Sequence, residues 1–210
     1  MRIKTLSAGA VVLLLAALDC AARAQTDAAL SLYGAFTGAT TGNGTQQSPS
    51  NSAGGLIEVR HIRNPLVGYE ATYSYNRANQ VYSYNGVAPG TCPIGIPSCT
   101  PSPAAVSANA HEITGDWIAS VHVARLRPFA LAGIGLLLDV PSSGQNSTST
   151  TAKPVYVYGA GIDWALLPHL GLRFQYRGNL YSAPDLTKLY TSTDRFTHTA
   201  EPMIGAYFRL

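Results

Sequence analysis

The sequence predicts an all-β fold: an eight-stranded antiparallel up-and-down transmembrane β-barrel, preceded by a helical signal peptide. Three observations predict it. Beyond the N-terminal segment, apolar residues recur with period two almost throughout, as in strands whose two faces meet different surroundings. Charged residues make up only 12% of the chain, against ~25% in soluble domains. Yet no later stretch is a helical span; the best, 129–138, is short and holds Gly133 and Gly135. Finally, long polar connections alternate with short turns, a sorting by end that a soluble sandwich has no reason to make. In hydrocarbon, backbone polar groups must pair internally, and only helices and closed barrels achieve this.

The N-terminus carries Arg2 and Lys4, then an apolar run from Ala8 to Leu18, then Ala22-Arg23-Ala24 before Gln25. That is the layout of a secretory signal peptide with an A-x-A cleavage site between Ala24 and Gln25. The apolar run is shorter than the ~20 residues a spanning helix needs. Cys20 invites a lipoprotein reading, but Asp19 stands where such signals want a small neutral residue. The expected organisation is therefore a signal peptide over 1–24 and one barrel domain over 25–210. Removing residues 1–24 takes away Arg2, Lys4, Arg23 and Asp19, so the net charge of +3 falls to +1. No Lys/Arg cluster survives to argue for nucleic acid.

Strand one alternates Leu30, Leu32, Gly34 and Phe36 with Ser31, Tyr33, Ala35 and Thr37. A polar stretch over 40–52 reads as a loop. Strand two, about 55–63, sets Ile57, Val59 and His61 against Leu56, Glu58, Arg60 and Ile62, and its register is the least clear. Asn64-Pro65 marks a turn. Strand three carries Val67, Tyr69, Ala71, Tyr73 and Tyr75 on one face and Glu70, Thr72 and Ser74 on the other. Residues 77–110, with five prolines, read as a long irregular connection. Strand four (111–123) sets Ile113, Gly115, Trp117 and Ala119 against Glu112, Thr114 and Asp116. Arg125-Leu126-Arg127 reads as a turn, 128–140 as strand five and 141–152 as a loop. Strand six (153–166) sets Tyr156, Tyr158, Ile162 and Trp164 against Val155, Val157 and Asp163. A turn at 167–169 leads to strand seven, with Leu170, Leu172, Phe174 and Tyr176 opposite Arg173, Gln175 and Arg177. A fourth loop, 183–195, precedes strand eight, where Ile204, Ala206, Phe208 and Leu210 alternate with Glu201, Met203 and Tyr207.

A soluble barrel would turn its apolar face inward. Here the opposite face carries Glu58, Arg60, Glu70, Glu112, Asp116, Asp163, Arg173, Arg177 and Glu201. An eight-stranded lumen has room only for side chains, and opposite charges fit there when paired and hydrogen-bonded. A gate or narrow ion path is one reading of that network. A satisfied polar plug is the reading favoured, because eight-stranded interiors are normally filled.

Cys92 and Cys99 lie in the longest connection, among prolines. In an oxidising compartment a disulfide is expected there; metal binding is the rival, but no His or third Cys is nearby. His61, His111, His122 and His169 lack metal-ligand spacing. No cofactor motif is present, and neither a cofactor nor a metal is expected.

Gly68-Tyr69-Glu70-Ala71-Thr72-Tyr73-Ser74-Tyr75 resembles the third strand of the small OmpA-like and OmpX-like outer-membrane barrels. Leu170-Gly171-Leu172-Arg173-Phe174-Gln175-Tyr176-Arg177 resembles their penultimate strand. Gly205-Ala206-Tyr207-Phe208-Arg209-Leu210 resembles the C-terminal strand read by the barrel-assembly machinery, with Tyr207, Phe208 and Leu210 as the signal. That signal usually ends in Phe; here it ends in Leu210. The resemblance implies an integral protein of the cell outer membrane, with both termini periplasmic. It implies contacts with outer-membrane lipid and lipopolysaccharide, and with the assembly machinery and periplasmic chaperones during biogenesis. No peptidoglycan-binding domain is expected after the barrel.

Phe196-Thr197-His198-Thr199-Ala200 faintly resembles the active strand of outer-membrane lipid A deacylases. Their nucleophilic Ser stands two residues after the His; here that position is Ala200, and a hydrolase needs an activated hydroxyl. The expected function is non-catalytic, with exposed loops serving surface or ligand interaction or envelope integrity. A narrow channel is the first alternative, and a lipid-modifying enzyme the second.

Overall fold

The computed structural model describes residues 24–85, 103–142 and 148–210. In chain order the strands are β1 (Gln25–Thr37), β2 (Thr40–Gly42), β3 (Thr45–Pro49), β4 (Ser52–Asn64), β5 (Val67–Tyr84), β6 (Ala104–Ser120), β7 (Leu126–Pro141), β8 (Thr151–Ala165), β9 (Leu170–Ser182) and β10 (Phe196–Arg209). Eight of them, β1 and β4 to β10, form the wall. Each pairs antiparallel with its neighbour in the chain, β1 pairs with β10, and β5 with β6 completes the ring. Closure leaves no bare edge on that wall.

The wall is inside out relative to a soluble barrel. Leu32 is 69% exposed on the outer surface, while Arg173 is fully buried in the lumen. Leu30, Ile57, Ile113, Ile134 and Leu136 share the outer surface with Tyr69, Trp117 and Trp164. Only a hydrocarbon surrounding makes that arrangement favourable. No helix among the described residues is long and apolar enough to cross a membrane; the strands do the crossing. The uncertain register of the second wall strand is resolved by burial: Leu56, Glu58, Arg60 and Ile62 point inward and Ile57, Val59 and His61 outward.

Several expected bounds shift. The first strand starts at Gln25 rather than near Leu30, bringing Asp27 and Ala29 into the lumen. Arg127 belongs to β7 and points inward; it is not a turn residue. The irregular segment expected over 77–110 is β-structure at both described ends, with Arg77 to Tyr82 paired to Ala104 to Asn109. The outward face of the β5 extension carries Arg77 and Asn79, so no apolar outer stripe marks it in the sequence. The loop expected over 40–52 contains the β2–β3 hairpin, which rides on the far end of β5. Its turn is Asn43-Gly44, both with positive φ, the pair that suits a two-residue hairpin.

The barrel therefore has two unlike ends. One holds the termini and the short turns; the other holds the long connections.

Candidate functional site

Alternation along each strand sends every second side chain inward, and most inward positions here are polar. Near the short-turn end, Asp27 from β1, Glu58 and Arg60 from β4, Glu70 from β5, Arg127 from β7, Asp163 from β8 and Arg173 from β9 meet on the barrel axis, all with side chains at most 2% exposed. Asp163 is the hub. It accepts from Arg173 Nε at 2.7 Å, from Arg127 Nη2 at 2.6 Å and from Arg60 Nη1 at 3.4 Å. Arg127 and Arg173 also donate to Asp27, at 2.6 and 2.8 Å. Arg60 Nε donates to Glu70 at 2.6 Å, and Arg173 Nη1 to Glu58 at 3.2 Å.

Two aromatic rings fill the space between these guanidinium groups. Arg60 lies 4.0 Å from the centre of the Phe129 ring, with Arg173 at 5.6 Å from the same ring. Arg173 and Arg127 approach Tyr207 at 5.6 and 5.9 Å. Such stacking stabilises a desolvated cation and puts two rings among the paired charges.

The middle of the lumen is built around Arg177, which donates to Glu112 at 3.2 Å and to the hydroxyls of Thr72 and Thr114, and lies 3.9 Å from Asp116. Asn179 donates to Glu112 at 3.0 Å. Glu201, directly opposite Arg177 in the ladder, is buried beside them. All nine charged residues singled out in the sequence are thus buried inside the barrel, in two groups. Arg60, Arg173, Glu58, Glu70 and Asp163 make the lower one, and Glu112, Asp116, Arg177 and Glu201 the upper. Asp27, Arg127 and Asp139 are inward charges that the pattern missed, because they sit at strand ends where alternation is short.

Beyond Arg177 lies a cavity of about 30 Å³, lined by Glu112, Asp139, Asn179, Tyr181, Thr199 and Glu201 among others. Above it, the connection after β9 folds over the mouth. Tyr82 Oη donates to Pro184 O at 2.7 Å and accepts from Leu186 N at 3.1 Å. Gln47 donates to the same carbonyl at 3.1 Å. Leu186 is fully buried against Tyr82, Val106 and Ala108. Thr193 and Thr191 bond to Thr40 and Thr45 of the β2–β3 hairpin. The fourth connection, expected to be an exposed loop, is in part a cap.

The histidine singled out for catalysis is on the outer wall. His198 Nε2 is hydrogen-bonded to Tyr158 Oη at 2.9 Å. Thr199 points the other way, into the lumen, where its hydroxyl bonds to Thr37 and Tyr181. Among the described residues no group of three His, Cys, Asp or Glu side chains is placed to cage a metal. Ala24 and Gln25 stand where the described chain begins, and Tyr207 points into the lumen while Phe208 and Leu210 face outward. The segment 1–23 and both Cys92 and Cys99 lie outside the described residues.

A closed eight-stranded sheet with a lipid-facing apolar wall and a charged interior is an integral outer-membrane barrel. The model for the outer membrane protein beta-barrel domain matches residues 8–199, and the chain belongs to that family. No curated protein matches it. Among solved structures, neisserial surface protein A is 14% identical over 90% of this chain and 99% of its own, with a TM-score of 0.58. OprG from Pseudomonas aeruginosa is 8% identical over 89% of this chain and 96% of its own, with a TM-score of 0.57. At these identities the likeness is one of fold.

Proposed function

We propose that this protein is a non-catalytic, non-conducting barrel of the outer membrane, whose long-connection end faces outward and serves surface or ligand contact or envelope integrity. The observation that carries the reading is the double obstruction of the lumen. The Asp163 network with Phe129 and Tyr207 fills one end, and the segment from Ala183 to Arg195 covers the other. Opening a path would expose at least three guanidinium groups and four carboxylates to a narrow, low-dielectric tube, at a cost of several kcal/mol per unpaired ion.

The termini and short turns are placed in the periplasm, following the usual division of short periplasmic turns and longer external loops. Cleavage between Ala24 and Gln25 would free β1 to begin at the mature N-terminus. Lipid and lipopolysaccharide surround the apolar wall. Phe208 and Leu210, both outward and exposed, are the groups the assembly machinery would touch. Tyr207 faces the lumen and serves the interior instead. The non-catalytic reading rests on the surroundings of His198, whose partner is a tyrosine rather than an activatable serine.

Reconstitution in planar bilayers tests the reading. The folded protein is expected to give no reproducible conductance steps at moderate voltage; steady unitary steps would support a narrow channel instead. Lipid A mass spectra from cells with and without the gene check the catalytic alternative, and a changed acyl pattern would overturn the non-catalytic reading.

A further inference from the structure

Every carboxylate of the wall strands is buried in the lumen, and the two others among the described residues, Asp185 and Asp194, lie in the cap. The outer surface of the wall thus has no negative charge of its own. Toward the long-connection end it carries Arg77, exposed on the outer face of β5 and held by no hydrogen bond or ion pair among the described residues. The ladder gives its depth. Ala71 pairs with Gly115, and Gly115 with Ile134, in a row near the middle of the wall. Arg77 stands six residues further along β5. At ~3.4 Å per residue and a strand tilt of ~40°, it lies about 15 Å above that row. Half of a hydrocarbon core of ~30 Å is the same distance, so the guanidinium is level with the lipid headgroups.

The residues beside Arg77 are arranged as donors. Asn109 is its cross-strand partner, and His111 is that of Tyr75. Tyr75 Oη donates to Asn109 Oδ1 at 3.2 Å, which occupies the acceptor end of that amide and leaves its N–H end for a ligand. Tyr73 Oη is hydrogen-bonded to His111 Nδ1 at 2.9 Å, which leaves Nε2 uncommitted. Further down the same face, Tyr73 pairs with Ile113 and Tyr69 with Trp117. Between these bulky rows Ala71 and Gly115 make a dip, where a methyl group on Gly115 would meet nothing within 4 Å. We infer that Arg77, Asn109 and His111 bind the phosphate of an outer-leaflet glycolipid of the lipid A type, with one acyl chain running down the wall to the dip. Charge and depth together choose this occupant. A guanidinium fork matches phosphate oxygens, no wall carboxylate repels the anion, and the headgroup level supplies a phosphate already attached to acyl chains. The outer-leaflet source rests on the reading that the long-connection end faces outward; the donor cluster itself does not.

The test is native mass spectrometry of the full folded protein titrated in detergent with bisphosphorylated lipid A, with folding checked by the gel shift between unboiled and boiled samples. One lipid A per barrel is expected to saturate. Arg77→Gln should weaken retention at least tenfold and Asn109→Ala several-fold, while Lys188→Gln, an exposed cation in the cap, should leave it unchanged. A second comparison needs no variant: lipid A stripped of its phosphates should bind the wild-type protein no better than intact lipid A binds R77Q. Equal retention by wild type and R77Q, or of the phosphorylated and stripped lipids, would overturn the site. Phosphatidylglycerol retained as well as lipid A would overturn the glycolipid assignment. Orientation is read separately, by labelling Lys188 with a membrane-impermeant amine reagent. Labelling on intact cells is expected; labelling only after the cells are broken would overturn the outward placement, and with it the outer-leaflet source, whatever the detergent titration gives.

Discussion

Asp163 and Arg173 stand directly opposite one another on β8 and β9, and Arg173 Nε donates to Asp163 Oδ1 at 2.7 Å. Cross-strand pairing alone would bring the two together. What distinguishes this pair is that Asp163 also holds Arg127 and Arg60, drawn from two other strands. Replacing a whole buried ion network by apolar groups of equal volume is often neutral, whereas removing one member leaves a bare charge. Asp163→Ala is therefore expected to lower stability by about 3–5 kcal/mol, read as a shifted urea midpoint in detergent. A midpoint within error of wild type would show that the guanidinium groups are otherwise compensated.

The cap gives a local prediction. Tyr82→Phe removes a hydroxyl that both donates to Pro184 O and accepts from Leu186 N; Pro184 O keeps the Gln47 amide, but Leu186 N loses its acceptor. The loss of about 1–3 kcal/mol should be confined to the cap. Amide exchange across residues 184–190 is expected to speed about tenfold, since ~1.4 kcal/mol corresponds to that factor. Exchange in the middle of β8 and β9 should not change.

The outer wall can be probed at Ile134, 65% exposed near the middle of β7. Ile134→Arg is expected to cost about 2–4 kcal/mol in lipid vesicles, as for a charge near the bilayer midplane. Val123→Arg, in the short turn before β7, should cost about 0–1 kcal/mol, as near the interface. Equal costs at the two sites would contradict the placement of the lipid-facing band.

Two neighbouring glycines should respond oppositely. A methyl group at Gly133 would run into the Asp116 carboxylate and the Gly115 carbonyl, whereas one at Gly115 would meet nothing within 4 Å. Gly133→Ala is expected to destabilise by about 1–3 kcal/mol through overpacking, and Gly115→Ala to be nearly silent. Paired urea titrations would check both.

Much of the wall was legible because each lipid-crossing stretch must be apolar on one face and polar on the other. Val67 to Asn76 and Leu170 to Arg177 show that pattern without interruption. It fades where lipid ends. Arg77 to Tyr84 and Ala104 to Ala110 are strand, yet Arg77 and Asn79 point outward, so no apolar stripe marks them. Asn43-Gly44 did carry a hairpin signal, hidden in a run of Thr, Gln and Ser. The inward charges in mid-strand were readable from alternation; Asp27 and Arg127 were not, since one or two residues cannot set a period, and Asp139 was hidden at the end of a strand that is apolar on both faces. Leu186 offered no pattern at all: a single apolar residue in a connection says nothing about what it will cover.

The reach of the ion network bears on how the molecule is made. Asp27 and Arg173 are 146 residues apart, and Asp27 and Arg127 are 100 apart. A chain emerging from its N-terminus carries Asp27, Glu58 and Glu70 long before Asp163 and Arg173 arrive. Until β10 meets β1, these groups have no shared interior and stay hydrated. An incomplete sheet is thus anchored to water by its own carboxylates, and the cost of taking them into hydrocarbon falls only when the last strand is home. Ring closure and entry into the bilayer become one coupled event, and a truncated chain is held back from premature insertion by the residues that later fill its core.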